Sequence, residues 1–127
     1  MDKATLVNTD VEKGSRALSA LDRAGLNISV ALWASFSDYE EPRLVLASRK
    51  LDQKQPLDAY GAVLDVLRQE KLSGHRSPTL LILKMTDPFV KDARRIFGST
   101  ADVEGMRLGG QSIGGRYISD AYVYRIK

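Results

Sequence analysis

No cysteine occurs in the chain, and several chemistries leave with it. A disulfide scaffold, a thiolate nucleophile, an iron–sulfur cluster and a cysteine zinc site all need sulfur that is not there. Histidine is almost as scarce. His75 is the single one, so a histidine-rich metal centre is excluded by count. Long apolar runs are missing too: the longest mainly apolar stretch, Ile28 to Phe36, is far below the ~20 residues that cross a bilayer. The opening residues turn polar at Asn8, Thr9 and Asp10 before a signal-peptide core can form. The last two absences predict a cytoplasmic protein with no membrane partner, whereas the missing cysteine is compatible with either side of a membrane. Internal repeats, low-complexity tracts and a linker between two cores are also lacking, which leaves a single domain over 1–127.

What is present suits one folded core. Apolar residues make up 43% of the 127 and charged residues 28%, ordinary proportions for a globular domain and too apolar for global disorder. The net charge of +3 is unevenly spread. Residues 1–42 carry 4 basic and 7 acidic side chains, and residues 43–127 carry 15 and 9. The later two thirds is therefore the basic side, which permits an anionic partner without requiring one.

Apolar spacing sets out the elements. Thr9 and Glu12 have capping-box spacing, Val11, Leu18 and Leu21 share a face with Gly14 and Ala17, and Gly25 is placed to stop a helix over about 10–24. Residues 28–36 alternate: Ile28, Val30, Leu32, Ala34 and Phe36 on one side, Ser29, Ala31, Trp33 and Ser35 on the other. Trp33 thus stands among small neighbours, against which a helix or a second chain could lie closely. After the polar connection 38–42, Leu44 to Ala47 returns as a second strand, and 49–55 reads as a charged loop. Pro56 opens a second helix with the stripe Leu57, Tyr60, Val63, Leu64 and Leu67. The run Thr79 to Met85 predicts a central strand covered on both faces. Asp87-Pro88 starts a third helix that Gly98 ends, and strands at about 102–108 and 116–126 flank the glycine-rich 109–115.

The resulting order is α-β-β-α-β-α-β-β: an α+β single domain, a mostly antiparallel sheet of about five strands with three helices. The expected core is Leu18, Leu21, Val30, Leu32, Leu64, Leu67, Leu81, Leu83, Ile96 and Phe97.

Candidate chemistry is thin. His75 lies in the loop Ser73 to Pro78 beside Arg76, with serines nearby in sequence but no nucleophile elbow. Asp52-Gln53-Lys54 matches the short acidic-x-Lys pattern of some metal-dependent nucleases, yet it falls in a loop, not on the strands that would hold a divalent ion. The glycines of 109–115 join two strands, with no following lysine, so a bulged hairpin fits them better than a phosphate loop. No catalytic, metal or cofactor-binding residue is assigned. The basic and aromatic residues are more suggestive. Lys91, Arg94 and Arg95 share one side of the third helix, and Arg107 and Arg116 with Tyr122 and Tyr124 lie on the terminal strands. Arginine with tyrosine is the combination that pairs phosphates and stacks bases, though the same residues can serve as packing tyrosines and solvated charges.

The blocks Leu21-Asp22-Arg23-Ala24-Gly25 and Ala31-Leu32-Trp33, with Ile118 to Arg125, resemble a family of small uncharacterised bacterial proteins of about this length. That resemblance spans nearly the whole chain and implies no activity, cofactor or site residue.

The leading expectation is a non-enzymatic binding or assembly module acting through a macromolecular partner, with a protein partner or self-association through the final strand. A nucleic-acid-binding protein using the basic later segment is the alternative, and a metal-dependent phosphodiesterase the second alternative.

Overall fold

The computed structural model describes residues 8–100 and 103–127. Helix α1 (Asn8–Arg23) turns Gly14, Ala17, Leu18, Ala20 and Leu21 inward. It is already helical at Asn8, so Thr9 stands inside the helix instead of at its cap. The other end closes as its sequence predicts. Gly25 takes a left-handed φ of +77°, its N–H donates to the Asp22 carbonyl at 3.0 Å, and Leu26 N–H donates to Leu21 at 3.2 Å. These are the two bonds of a Schellman motif.

Strands β1 (Val30–Phe36) and β2 (Arg43–Ala47) form the expected antiparallel hairpin. The charged segment after them is not a loop but a single helical turn, α2 (Arg49–Asp52). Buried Ser48 accepts the Leu51 N–H through its hydroxyl at 3.0 Å, and Leu51 itself is buried. One apolar side chain and one cap are enough to fold that turn back. Helix α3 (Pro56–Gln69) follows, then a 3₁₀ turn at Gly74–Arg76 and strand β3 (Leu80–Ile82). Helix α4 (Pro88–Phe97) starts on Asp87, whose carboxylate accepts the Phe89 N–H at 2.8 Å. The chain ends in β4 (Arg107–Leu108), β5 (Gln111–Ile113) and β6 (Arg116–Ile126).

The α+β single domain stands, and its sheet is mixed. The strand order is β3-β2-β1-β6-β4, with β5 also on β6. All pairings are antiparallel except β2 with β3, because α3 crosses between them and a helical crossover returns the chain parallel. Two expectations change with this order. The apolar run 79–85 is covered on both faces, but β3 lies at the sheet edge and β1 takes the centre. Every residue of β1 is buried, including the side expected to be mixed. The final strand is not an edge either. β6 has β1 on one side and β4 and β5 on the other, so it is not free to pair with a second copy.

Two apolar layers sandwich the sheet. On one face, Val30, Leu32, Ala34, Phe36, Ile118 and Val123 meet Phe89, Val90 and Ala93 of α4. On the other, Ala31, Trp33, Leu44 and Leu46 meet Leu18 and Leu21 of α1 and Val63 and Leu67 of α3. The small residues around Trp33 do admit a helix closely, and that helix is α1. Six of the expected core residues are buried, but Leu64 (43% exposed) and Ile96 (39%) are surface residues, and Leu83 and Phe97 are half-buried. Helix α3 buries the row Ala59, Val63 and Leu67, one turn apart along a single face, which rotates Leu64 outward.

The glycine stretch 109–115 holds strand β5 in its middle and a turn at its end. Gly114 and Gly115, at φ +56° and +84°, form the two-residue turn between Ile113 and Arg116, the backbone of a type I′ hairpin. The Gly114 N–H donates to the Asp92 carboxylate at 2.8 Å, tying the turn to α4.

Candidate functional site

The seven basic and aromatic residues singled out from the sequence do not form one surface. Lys91, Arg94 and Arg95 lie on α4, over the face that holds Phe36 and Ile118. Arg95 pairs with Asp92, its Nε 3.0 Å from Oδ1, and Arg94 Nε donates to the Lys127 carbonyl at 2.7 Å. The Arg95 hydrogen bond, then the Gly114 amide, hold the Asp92 carboxyl below its usual range. Arg116 belongs to the same side, its guanidinium 5.6 Å from the Phe36 ring centre.

Arg107, Tyr122 and Tyr124 occupy the opposite face. Arg107 is the cross-strand partner of Tyr122, 5.9 Å from the centre of its ring, and lies 3.7 Å from the Asp120 carboxylate. Tyr122 and Tyr124 meet edge to face at 5.2 Å. Tyr124 is a packing residue at its hydroxyl end: the O–H donates to the Val11 carbonyl at 2.5 Å, beneath α1. Burial pushes its phenol well above the ordinary tyrosine value, against a smaller downward pull from the Trp33 indole.

The strand between these groups is two-faced. Ile118, Ala121 and Val123 are buried against α4, while Tyr117, Ser119, Asp120 and Tyr122 keep access to solvent. A bulge lets this happen, since Asp120 opposes Ser35 and Ile118 opposes Phe36, leaving Ser119 as the extra residue. Ser119 and Asp120 carried no sequence signal as surface residues, because a bulge cannot be seen in an alternation pattern. Tyr117 is 46% exposed, unusual for an aromatic side chain of this size.

A cleft of about 470 Å³ is lined by α1, by Gly98, Thr100, Val103 and Glu104, and by the end of β6. Its best-defined feature is a two-pronged ion pair. Arg125 Nη1 and Nη2 reach Asp22 Oδ1 and Oδ2 at 3.0 and 2.9 Å, and Nη1 also donates to the Ile28 carbonyl. The hydrogen bond from Arg125 lowers the Asp22 carboxyl, and the same bond raises Arg125. Asp22 sits on α1, roughly a hundred residues before its partner in sequence, and nothing local announces the pair.

Of the residues weighed for catalysis, Asp52 has a structural role. Both carboxylate oxygens of Asp52 accept the Met85 N–H, at 3.2 and 3.1 Å, and Lys84 donates to its carbonyl at 2.9 Å. Asp52 thus ties α2 to the end of β3. Lys54 is exposed beyond it. Among the described residues no group of three histidine or acidic side chains is placed to hold a metal ion. His75 is exposed in the 3₁₀ turn. No helix among the described residues is long and apolar enough to cross a membrane.

Fold and surfaces together define an α+β domain whose recognisable sites are exposed faces and clefts. No family model, no curated protein and no solved structure matches this chain.

Proposed function

We propose that this chain is a non-enzymatic binding module of the cytoplasm that takes a macromolecular partner on the accessible face of β6. The observation that carries the reading is the asymmetry of that strand: α4 seals one side, while Tyr117, Ser119, Asp120 and Tyr122 remain reachable on the other, with Arg107 beside them. Exposed tyrosine beside arginine is the composition enriched at protein interfaces, since both bring large area at modest conformational cost. The test is quantitative affinity purification from the native host with wild-type protein, a Tyr117→Ser/Arg107→Ser variant and a Lys91→Ser control. The reading expects a protein captured by wild-type and control and lost from the double variant. A set of captured proteins identical for all three overturns it.

A second reading, single-stranded nucleic acid on the same face, is favoured by one contact, the Arg107 guanidinium over Tyr122. Base stacking and phosphate pairing use this pair of groups. The arginines of α4 cannot join it from the far side of the sheet. Fluorescence titration with short oligonucleotides at low salt separates the readings: binding that weakens steeply with added salt and is lost in the same double variant supports nucleic acid.

A further inference from the structure

Most arginines in the described structure are already engaged. Five hold carboxylates, Arg94 holds a carbonyl oxygen, and Arg43 lies over an aromatic ring, as does Arg116. Among the described residues this leaves the side chains of Arg16, Arg49 and Arg76 without a hydrogen bond, ion pair or ring contact. Two of those three line the same cavity. It measures about 320 Å³ and lies between the first turns of α1 and the connection from α3 to β3.

Lys13 and Arg16 reach it from α1, three residues apart and so on one side of the helix. His75 and Arg76 reach it from the 3₁₀ turn, which is held by Arg76 N–H on the Ser73 carbonyl at 3.3 Å and Ser77 N–H on the Gly74 carbonyl at 3.0 Å. Gly74, at φ +65°, takes the left-handed conformation that starts this turn. Against Lys13, Arg16 and Arg76 stands one carboxylate, Glu12, so the rim is positive. Leu72 supplies an apolar wall.

Three cations against one carboxylate at a concave site leave a net repulsion, and neither Arg16 nor Arg76 makes a side-chain ion pair among the described residues. An anion would relieve that repulsion. We infer that this cavity binds a small phosphomonoester, with Arg16 and Arg76 on the phosphate oxygens and the organic group against Leu72. A guanidinium fork matches two oxygens of a phosphate at once, and lysine adds a point charge. The dianionic monoester offers three oxygens to the three cations, and the volume admits a phosphate with a modest organic substituent. This site shares no residue with the β6 face, so it stands or falls independently of the proposed partner.

The experiment is calorimetric titration of the full chain at low ionic strength with three probes: inorganic phosphate, phenyl phosphate, and a single-stranded oligonucleotide lacking a terminal phosphate. Phenyl phosphate should bind saturably at one site and more tightly than inorganic phosphate. An Arg16→Gln/Arg76→Gln variant should weaken it by roughly tenfold or more, and Arg49→Gln, the third unengaged arginine, should leave it unchanged. Both changes are at exposed side chains, and the circular dichroism melts are compared first. In the wild-type protein, the same titration followed by NMR should shift the Leu72 methyl and His75 ring signals. The inference is overturned if phenyl phosphate shows no saturable binding, if the double variant binds it as well as wild-type, or if Arg49→Gln weakens it equally. It is also overturned if the oligonucleotide saturates the site and the monoester does not.

Discussion

The indole nitrogen of Trp33 occupies the space that a side chain on Gly14 would need. A β-carbon built on Gly14 falls 2.5 Å from Trp33 Nε1 and in equally close conflict with the Tyr124 hydroxyl. Glycine costs a helix interior about 1 kcal/mol relative to alanine, yet here it lets α1 lie directly on the sheet. Trp33 Nε1 is buried beside the Tyr124 hydroxyl, and the ring is held chiefly by packing between α1 and the sheet. Gly14→Ala should therefore destabilise in spite of the better helix propensity, by roughly 1–3 kcal/mol from overpacking. Chemical denaturation measures it. A midpoint at or above wild-type would mean that α1 can move off the sheet at little cost.

Leu32 and Leu64 separate buried from exposed leucine. Leu32 is fully enclosed between β2 and β6 under α4, and its truncation to alanine should cost about 2–5 kcal/mol. Leu64 faces outward from α3, so Leu64→Ala should stay within roughly 0.5 kcal/mol. Equal losses in the two variants would show that α3 is rotated from the position described.

The Asp22–Arg125 pair gives a pH signature with a definite sign. Arg125 lowers the Asp22 carboxyl in the folded protein, so around pH 4 the unfolded chain binds more protons than the folded one. The stabilisation is complete above the ordinary aspartate pKa and fades as pH falls through the lower folded value. With side chains 40% and 25% exposed, the pair contributes about 0.5–1 kcal/mol after solvent screening. Asp22→Asn should be less stable than wild-type between pH 5 and 7, and the gap should narrow below about pH 4. A gap that stays constant to pH 2.5 would assign the loss to packing.

At the β5–β6 turn the two glycines should respond differently to substitution. A β-carbon on Gly114 would run into the backbone of Pro88 and Phe89, whereas one on Gly115 meets nothing within 4 Å. Both need positive φ, which asparagine tolerates better than most residues. Gly115→Asn should cost well under the ~1–3 kcal/mol expected for Gly114→Asn, judged by thermal unfolding.

The legible parts of the fold were those specified locally. Gly25 at the end of α1, Asp87-Pro88 at the start of α4, and the 28–36 alternation each work through neighbours within a turn or two. The Schellman bonds, the Asp87 cap and the β1 strand all follow from them. Strand order was not legible in this way. The run 79–85 is as apolar as a central strand because helices cover both its faces, and coverage leaves the same mark on sequence as a central position. Surface composition was readable but its grouping was not. Arg95 and Arg107 look alike in a list of basic residues, and a whole sheet separates them. The cavity at Lys13, Arg16 and Arg76 was hidden for a similar reason, since α1 and the 3₁₀ turn meet across the β1–β2 hairpin and α3 that separate them in sequence.

The interior position of β6 also governs how the protein is made. β1 and β6 pair from Val30 with Ile126 to Phe36 with Ile118, contacts 96 and 82 residues apart in sequence. A nascent chain that has emerged only as far as α4 can form the β1–β2 hairpin and the α3 crossover, but one long side of β1 is still bare. Contacts this distant in sequence close slowly, because the loop entropy is lost before the pairing repays it. On the ribosome, the half-built sheet therefore waits with its most apolar strand unzipped. That interval, and not the finished protein, is when the chain is most open to chaperones and to mispairing with its neighbours.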